Sequence, residues 1–348
     1  MKRQPKKKSG GGSKSKSSPG KGIDIGTSFI GCCERDGRHG SVRFRYERDA
    51  FFEIDHGDFT KGMLNKSSVK YIQKGENLYI VGNEALNFAN MFHRNTRRPL
   101  RTGIISPREK EALPMVELLI RSVAGKPSSQ GEIAYYSVPG APIDKSFNTV
   151  YHEKVLKGFL TKLGYSTKPI NEGLAVIYSE LANEGFTGVG LSFGGGMVNF
   201  CLALMSVPII SFSLTKAGDW IDEQAAEATN ETATRVCSVK EAGIDLNGNY
   251  SGGIEKALSI YYDYLIEYVV ENIKKELEKQ ERIPRFDKPI PVVLSGGSAL
   301  PKGFADRFRT ILKKHKLPLE VGKVQTAPDM MKAVSKGAMV AALGEGAK

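Results

Sequence analysis

Two glycine-bearing turns of the same design, 168 residues apart, limit what this chain can fold into more than any other feature. The first is Gly22-Ile-Asp-Ile-Gly-Thr-Ser28; the second is Leu191-Ser-Phe-Gly-Gly-Gly-Met197. Each ends an apolar run of β type and starts another. A third segment, Val293-Leu-Ser-Gly-Gly-Ser298, ends a further apolar run. Glycines at strand-to-turn junctions let backbone N–H groups close on phosphate oxygens, because no Cβ intervenes. Three such segments, two of them a domain length apart, point to a duplicated nucleotide clamp.

The rest of the pattern repeats with the turns. Gly22–Cys33 reads as strand, turn, strand, with Asp36-Gly37 as a turn and Ser41–Tyr46 as a third strand. Residues 50–105 are mixed and polar, with a strand at Leu78–Val81 and a short helix at Asn83–Phe92. Helices follow at Pro107–Val123 and Asp144–Leu163, strands at Glu132–Val138 and Lys168–Asn171, and a helix at Glu172–Ala182. The second half restarts with strands at Gly188–Phe193, Val198–Met205 and Pro208–Leu214, then a helix at Trp220–Asn230. Ile254, Leu258, Tyr261, Leu265, Val269, Ile273 and Leu277 form the apolar stripe of a long helix that suits core packing. A strand at Pro291–Leu294, a helix at Phe304–Lys314, a strand at Leu319–Gly322 and a helix at Met331–Leu343 complete the chain. The predicted class is α/β, with two domains of similar topology facing across a cleft.

Charge is unevenly spread. The net charge is +12, yet residues 1–21 hold eight basic side chains and no acid, leaving only +4 for the remaining 327 residues. This Lys/Ser/Gly-rich segment has too few apolar residues to fold. It reads either as a solvated arm or as a contact for an anionic surface, membrane or another polyanion, where each Lys contributes about 1 kcal/mol. No apolar run is long enough to span a bilayer. Cys32, Cys33, Cys201 and Cys237 have no metal-ligand spacing and suit buried thiols in a reducing cytoplasm.

Asp24 ends the first strand, with Gly26, Thr27 and Ser28 behind it. A nucleotide triphosphate carries Mg²⁺, and Mg²⁺ takes carboxylate oxygens. Gly194, Gly195 and Gly196 offer amides to the outer phosphates, and Gly296, Gly297 and Ser298 could lie flat against a base and ribose. Each has a plainer alternative: a β-hairpin with an ordinary Asp, and a simple β–α loop.

Together these segments resemble the bacterial actins of the actin/sugar-kinase/chaperone ATPase superfamily, of the MreB and MamK type. The first turn resembles that family's first phosphate motif, Leu191–Met205 its second, and Val293–Gly303 its adenosine motif. Ile170–Val176 and Ala333–Ala342 resemble its two connecting helices. The resemblance covers residues 22–343 and implies an actin-like ATPase fold: two duplicated ribonuclease H-like α/β domains around a nucleotide cleft. On this reading residues 1–21 are a disordered basic tail. Domain I is 22–168 with an inserted subdomain at about 50–105. Domain II is 169–343 with a shortened insert at about 230–253, and 344–348 is a C-terminal tail. The resemblance further implies ATP and Mg²⁺ as ligands, Asp24 facing the metal, and Glu172 orienting an attacking water. It implies Lys240 and Glu241 holding the ribose. The plainer alternatives are a helix N-terminal carboxylate at Glu172 and a surface charge pair at Lys240-Glu241.

Two departures shape the expected function. The second motif of the family opens with Asp and closes with Thr-Thr or similar, whereas this chain has Ser192 and Met197-Val198-Asn199. Loss of one such positioned group commonly costs about two or three orders of magnitude in rate. ATP hydrolysis is therefore expected to be weak. The shortened insert bears on the longitudinal filament contact. The leading expectation is a cytoplasmic, ATP-binding actin-like cytoskeletal protein that self-associates into nucleotide-dependent filaments, with a possible peripheral membrane contact through the basic tail. The second is a non-filamentous nucleotide-binding scaffold of the same fold. A small-molecule kinase would need a catalytic Asp after the second motif, and no convincing candidate stands there.

Overall fold

The computed structural model describes residues 20–35, 41–67, 69, 71–281 and 283–346. Nearly all of the basic tail, and the Asp36-Gly37 turn, lie outside the described residues.

The apolar run before the first turn becomes a central strand. β1 (Lys21–Ile25) reverses into β2 (Phe29–Arg35), and β3 (Val42–Arg48) extends the antiparallel meander. The inserted segment then folds as a small antiparallel sheet of β4 (Phe51–Asp55), β5 (Tyr71–Lys74) and β6 (Asn77–Val81) in the order β4-β6-β5. Helix α1 (Asp58–Lys66) lies between β4 and β5, and α2 (Asn83–Met91) follows β6. A short hairpin, β7 (Leu100–Arg101) and β8 (Ile104–Ile105), leads to α3 (Ala112–Ala124). β9 (Ile133–Val138), α4 (Val150–Lys162) and β10 (Ser166–Asn171) complete the first half. Its sheet has the order β10-β9-β1-β2-β3, with β9 parallel to both β1 and β10.

The second half opens with α5 (Glu172–Glu180) and repeats the plan. β11 (Gly188–Phe193), β12 (Val198–Leu204) and β13 (Val207–Leu214) form the meander, and α6 (Gly218–Thr229), α7 (Ala233–Glu241) and α8 (Gly253–Glu278) follow. β14 (Ile290–Ser295), α9 (Phe304–Lys314), β15 (Val321–Thr326) and α10 (Ala333–Gly346) end the chain. This sheet has the order β13-β12-β11-β14-β15, the same arrangement as the first. All six β11 residues are buried, as a central strand covered on both faces requires.

Several sequence expectations shift for local reasons. α4 starts at Val150 rather than Asp144 because the Asp144 carboxylate is engaged elsewhere, accepting from Thr215 N at 2.8 Å and Tyr268 OH at 2.8 Å. Turns occupy residues 107–111, so α3 begins at Ala112 and Pro114 falls in its first turn, where no N–H is needed. The gap at 230–253 contains a helix, α7, which the apolar pattern did not indicate.

The core of the second half gathers around α8, whose Leu258, Leu265, Val269, Ile273 and Leu277 are buried as the stripe predicts. Between the sheets, α10 packs on β1, β2 and β9, α5 packs on β11 and β12, and the two helices pack on each other. Their approach depends on Gly337, where an added Cβ would come within 1.7 Å of the Ala175 carbonyl oxygen. This sandwich fixes the ends of β1 and β11 opposite one another.

Candidate functional site

The turns after β1 and β11 meet in a cleft of about 780 Å³ between the two halves. Every residue nominated from the sequence lines it. Asp24, Gly26, Thr27 and Ser28 come from the first hairpin, and Gly194, Gly195 and Gly196 from the second. Glu172 heads α5, Lys240 and Glu241 end α7, and Gly296, Gly297 and Ser298 follow β14. Residues up to 274 positions apart in sequence are thus gathered into one site.

The hairpins correspond position for position. Asp24 pairs across its hairpin with Gly31, and Ser192 with Asn199. Gly26 N donates to Phe29 O at 3.1 Å, and Gly194 N donates to Met197 O at 2.9 Å. The two turns touch: a Cβ at Gly195 would lie 2.1 Å from Ser28 Oγ, and one at Gly196 would lie 2.3 Å from Thr27 Oγ1. Only glycine permits that approach. The second turn is anchored by its carbonyls, with Gly194 O accepting from Gly218 N at 3.1 Å and Ser298 Oγ at 2.8 Å, and Gly195 O from Asp219 N at 2.8 Å. Among the described residues the amides of Gly195 and Gly196 have no such partner. The turn therefore presents N–H groups, the chemistry an anion needs.

Behind the turns lie two half-buried carboxyl groups. Ser137 Oγ donates to Asp24 Oδ1 at 2.9 Å, and Ser192 Oγ donates to Glu172 Oε2 at 3.0 Å. Asn171 caps α5, its Oδ1 accepting from Leu174 N at 3.2 Å, and so places Glu172 in the first turn. Burial raises the proton affinity of Asp24. Burial and the neighbouring Asp24 charge raise that of Glu172, and the Ser192 hydroxyl works against the rise. Two carboxyl groups that resist ionising together make a site where a divalent cation would relieve the repulsion. Among the described residues no three His, Cys, Asp or Glu side chains converge as a metal cage. One or two carboxylates suit Mg²⁺, which completes its shell with phosphate oxygens and water.

Lys240 and Glu241 line the cleft but already have protein partners. Lys240 Nζ donates to Asp222 Oδ2 at 2.7 Å and to Gly218 O at 3.1 Å. Burial lifts the Asp222 carboxyl to about 6, and the Lys240 charge works against this. Glu241 accepts from both terminal guanidinium nitrogens of Arg48, whose Nε donates to Asn83 Oδ1 at 2.9 Å. That ion pair bridges the two halves and belongs to a longer seam. Asn90 Nδ2 donates to Ser238 Oγ at 2.8 Å, Thr96 N to Thr234 Oγ1 at 3.0 Å, and Arg98 Nη1 to Asp219 Oδ1 at 2.6 Å. The motifs did not reveal Arg48, Asn83 or Asp222.

Duplicated five-stranded halves with paired turns over one cleft define an actin-like ATPase fold, and solved structures agree. The chain matches "MamK double helical filament" at TM-score 0.70 and 17% identity, covering 93% of this chain and 98% of that one. It matches MreB 5 of Spiroplasma citri bound to AMPPNP at TM-score 0.65 and 15% identity, covering 93% and 96%. The ethanolamine utilization protein EutJ from Carboxydothermus hydrogenoformans matches at TM-score 0.55 and 15% identity, covering 92% and 89%. Within that fold the chain belongs to the Volactin family, whose model matches residues 20–342. No curated protein matches the sequence. Among the described residues no helix is long and apolar enough to cross a membrane.

Proposed function

We propose that the protein binds ATP with Mg²⁺ in this cleft, closes around it, assembles into nucleotide-dependent filaments, and hydrolyses the nucleotide slowly. The observation that carries this reading is the contact of the two glycine hairpins. They come from opposite halves and turn unpartnered amides into one cavity. A triphosphate there would be held from both halves, so binding favours the closed form. Asp24 is the residue suited to hold Mg²⁺, which when bound offsets phosphate charge. Glu172 accepts a hydrogen bond from a water and orients it, and phosphoryl transfer depends on such positioning. In this chain one acceptor position of Glu172 is already used by Ser192, which supports slow turnover. Lys240 and Glu241 bind the ribose once Glu241 exchanges Arg48 for a sugar hydroxyl. Solved relatives of the fold include a MamK filament and nucleotide-bound MreB proteins, in keeping with this reading. Chain division near residue 168, cytoplasmic location and contact of the basic tail with an anionic surface belong to the same proposal.

The test is electron microscopy and pelleting of purified protein with Mg²⁺ and ATP, beside a Gly195→Ala variant. The new Cβ would collide with Ser28 Oγ. ATP-dependent filaments of the wild type, lost in the variant, are expected. A wild type that binds ATP and stays monomeric at high concentration favours the non-filamentous scaffold. The short α7 segment, in place of a whole subdomain, is the observation on that side.

A further inference from the structure

A row of buried polar side chains crosses the second sheet, and no motif accounts for it. β11, β12 and β13 are neighbours, and Ser192, Asn199 and Ser213 stand side by side on them in register. Cross-strand partners share a face of the sheet, so the three side chains point the same way. All three are buried, Asn199 and Ser213 completely. Polar groups placed so deep need partners. At one end of the row Ser192 Oγ donates to Glu172 Oε2. At the other, Ser213 Oγ donates to Gly140 O at 2.8 Å, and the Ser213 backbone pairs with Ala141 O at 2.9 Å and Ile143 N at 3.1 Å. Residues 140–143 belong to the loop between β9 and α4, so a first-half segment is clipped along the edge strand of the second sheet. Between the two ends, Asn199 Oδ1 accepts from Gly140 N at 2.9 Å. An N–H can be met only by the carbonyl oxygen of the amide, which turns the Asn199 NH₂ group the other way. That group meets no acceptor in good geometry among the described residues, yet it lies near enough to Glu172 to favour its ionisation.

We infer that Asn199 is a positioning residue for Glu172, and that through it the first-half loop sets where that carboxylate stands. The inference rests on the water-orienting role proposed for Glu172 and deepens it. Glu172 heads α5 in the second half, while a water held on it has to line up with a phosphate gripped by both halves. A link from the first-half loop to Glu172 makes its position depend on how the halves sit together. With the loop clipped to β13, Gly140 N holds the amide and the NH₂ group steadies the carboxylate. When the loop shifts, the amide loses that anchor and the carboxylate loses its support. Positioning of this kind acts on the chemical step and leaves ground-state binding alone.

The experiment measures ATP affinity and single-turnover hydrolysis with Mg²⁺ for wild type, Asn199→Ser, Ser213→Ala and the double variant. Asn199→Ser removes the bridging amide and keeps a small polar side chain; Ser213→Ala removes only the hydroxyl bond to Gly140 O. Asn199→Ser should slow hydrolysis about ten-fold at unchanged ATP affinity. Ser213→Ala should slow it in the same sense, and the double variant should be no slower than Asn199→Ser, because both act along one row. A residue that only braces the fold lowers the melting temperature without producing this kinetic pattern. Wild-type hydrolysis in either single variant, additive losses in the double variant, or a loss of affinity that matches the loss of rate overturns the inference. Should Asn199→Ser not fold, Ser213→Ala alone decides. A wild type that binds ATP and never hydrolyses it also overturns the inference and leaves nucleotide binding standing. A wild type that does not bind ATP overturns both readings.

Discussion

Ser192 and Asp24 occupy the same position in their hairpins, so the difference between them can be tested directly. Ser192→Asp would restore a carboxylate beside Glu172, whose Oε2 now accepts from the Ser192 hydroxyl at 3.0 Å. With Mg²⁺ present we expect ATP turnover to rise about a hundred-fold, the scale of one positioned group. Without a cation the third carboxylate adds repulsion, and the variant should melt below wild type. Unchanged turnover would show that the second hairpin does not limit the rate. His152 gives a second prediction, this time of stability. It is buried, its Nδ1 accepts from Ile105 N at 3.2 Å, and its Nε2 has no partner among the described residues. Burial pushes its pKa down from 6.5 to about 4. The unfolded chain therefore takes up a proton as pH falls below about 6.5, while the folded chain does so only near 4. Stability is lost across that window, by about 2 kcal/mol between pH 7.5 and 5. Urea melts of wild type against His152→Gln isolate the effect, since the variant lacks this slope. Neither His152 nor Arg48 was legible as a functional or strained position. Their environments are made by partners 47 and 193 residues away. The glycine turns were legible because their chemistry is local.

The same contrast governs the elements. α8 and α9 were readable from periodicity, and the two meanders from their turns, because a single buried face or a tight turn leaves its mark within a few residues. β4, α1 and β5 were not, since β5 has no buried residue and the buried Phe51 and Phe52 of β4 are adjacent instead of alternating. α7 carried one signal, its cap: Thr232 Oγ1 accepts from Arg235 N at 3.1 Å. Its buried positions include Thr234 and Cys237 as well as Val236, too mixed to form a stripe. Yet α7 supplies the second-half side of the seam through Thr234, Ser238 and Glu241. The Arg48 side chain is 6% exposed, so removing its partner leaves a charge with little water. Glu241→Gln should therefore weaken both the Arg48 pair at the mouth and the ribose contact proposed for Glu241, and speed release of a fluorescent ATP analogue by about ten-fold. Stopped-flow displacement with excess ATP measures it. Release at the wild-type rate would mean that the seam does not gate the cleft.

For the whole molecule, duplication means that each half offers one hairpin and neither closes the site alone. The two sheets are joined at the base by α5, which packs on the second sheet, against α10, which packs on the first, a contact of small residues that tolerates little sliding. At the mouth the halves are joined by polar pairs, which part at much lower cost. A molecule rigid at its base and separable at its mouth can couple ligand to shape, and a polymer contact that reads shape then reads the ligand. Arg98→Gln tests this from the mouth of the cleft: Arg98 pairs with Asp219 at the head of α6, whose backbone N–H also donates to Gly195 O, so ATP occupancy has to be held constant. At saturating ATP, with occupancy confirmed by filtration, we expect the critical concentration for pelleting to rise about five-fold or more, because the closed form is less populated. Wild-type assembly at full occupancy would show that the polymer contact does not depend on closure, and that the nucleotide acts on assembly by some route other than the mouth of the cleft.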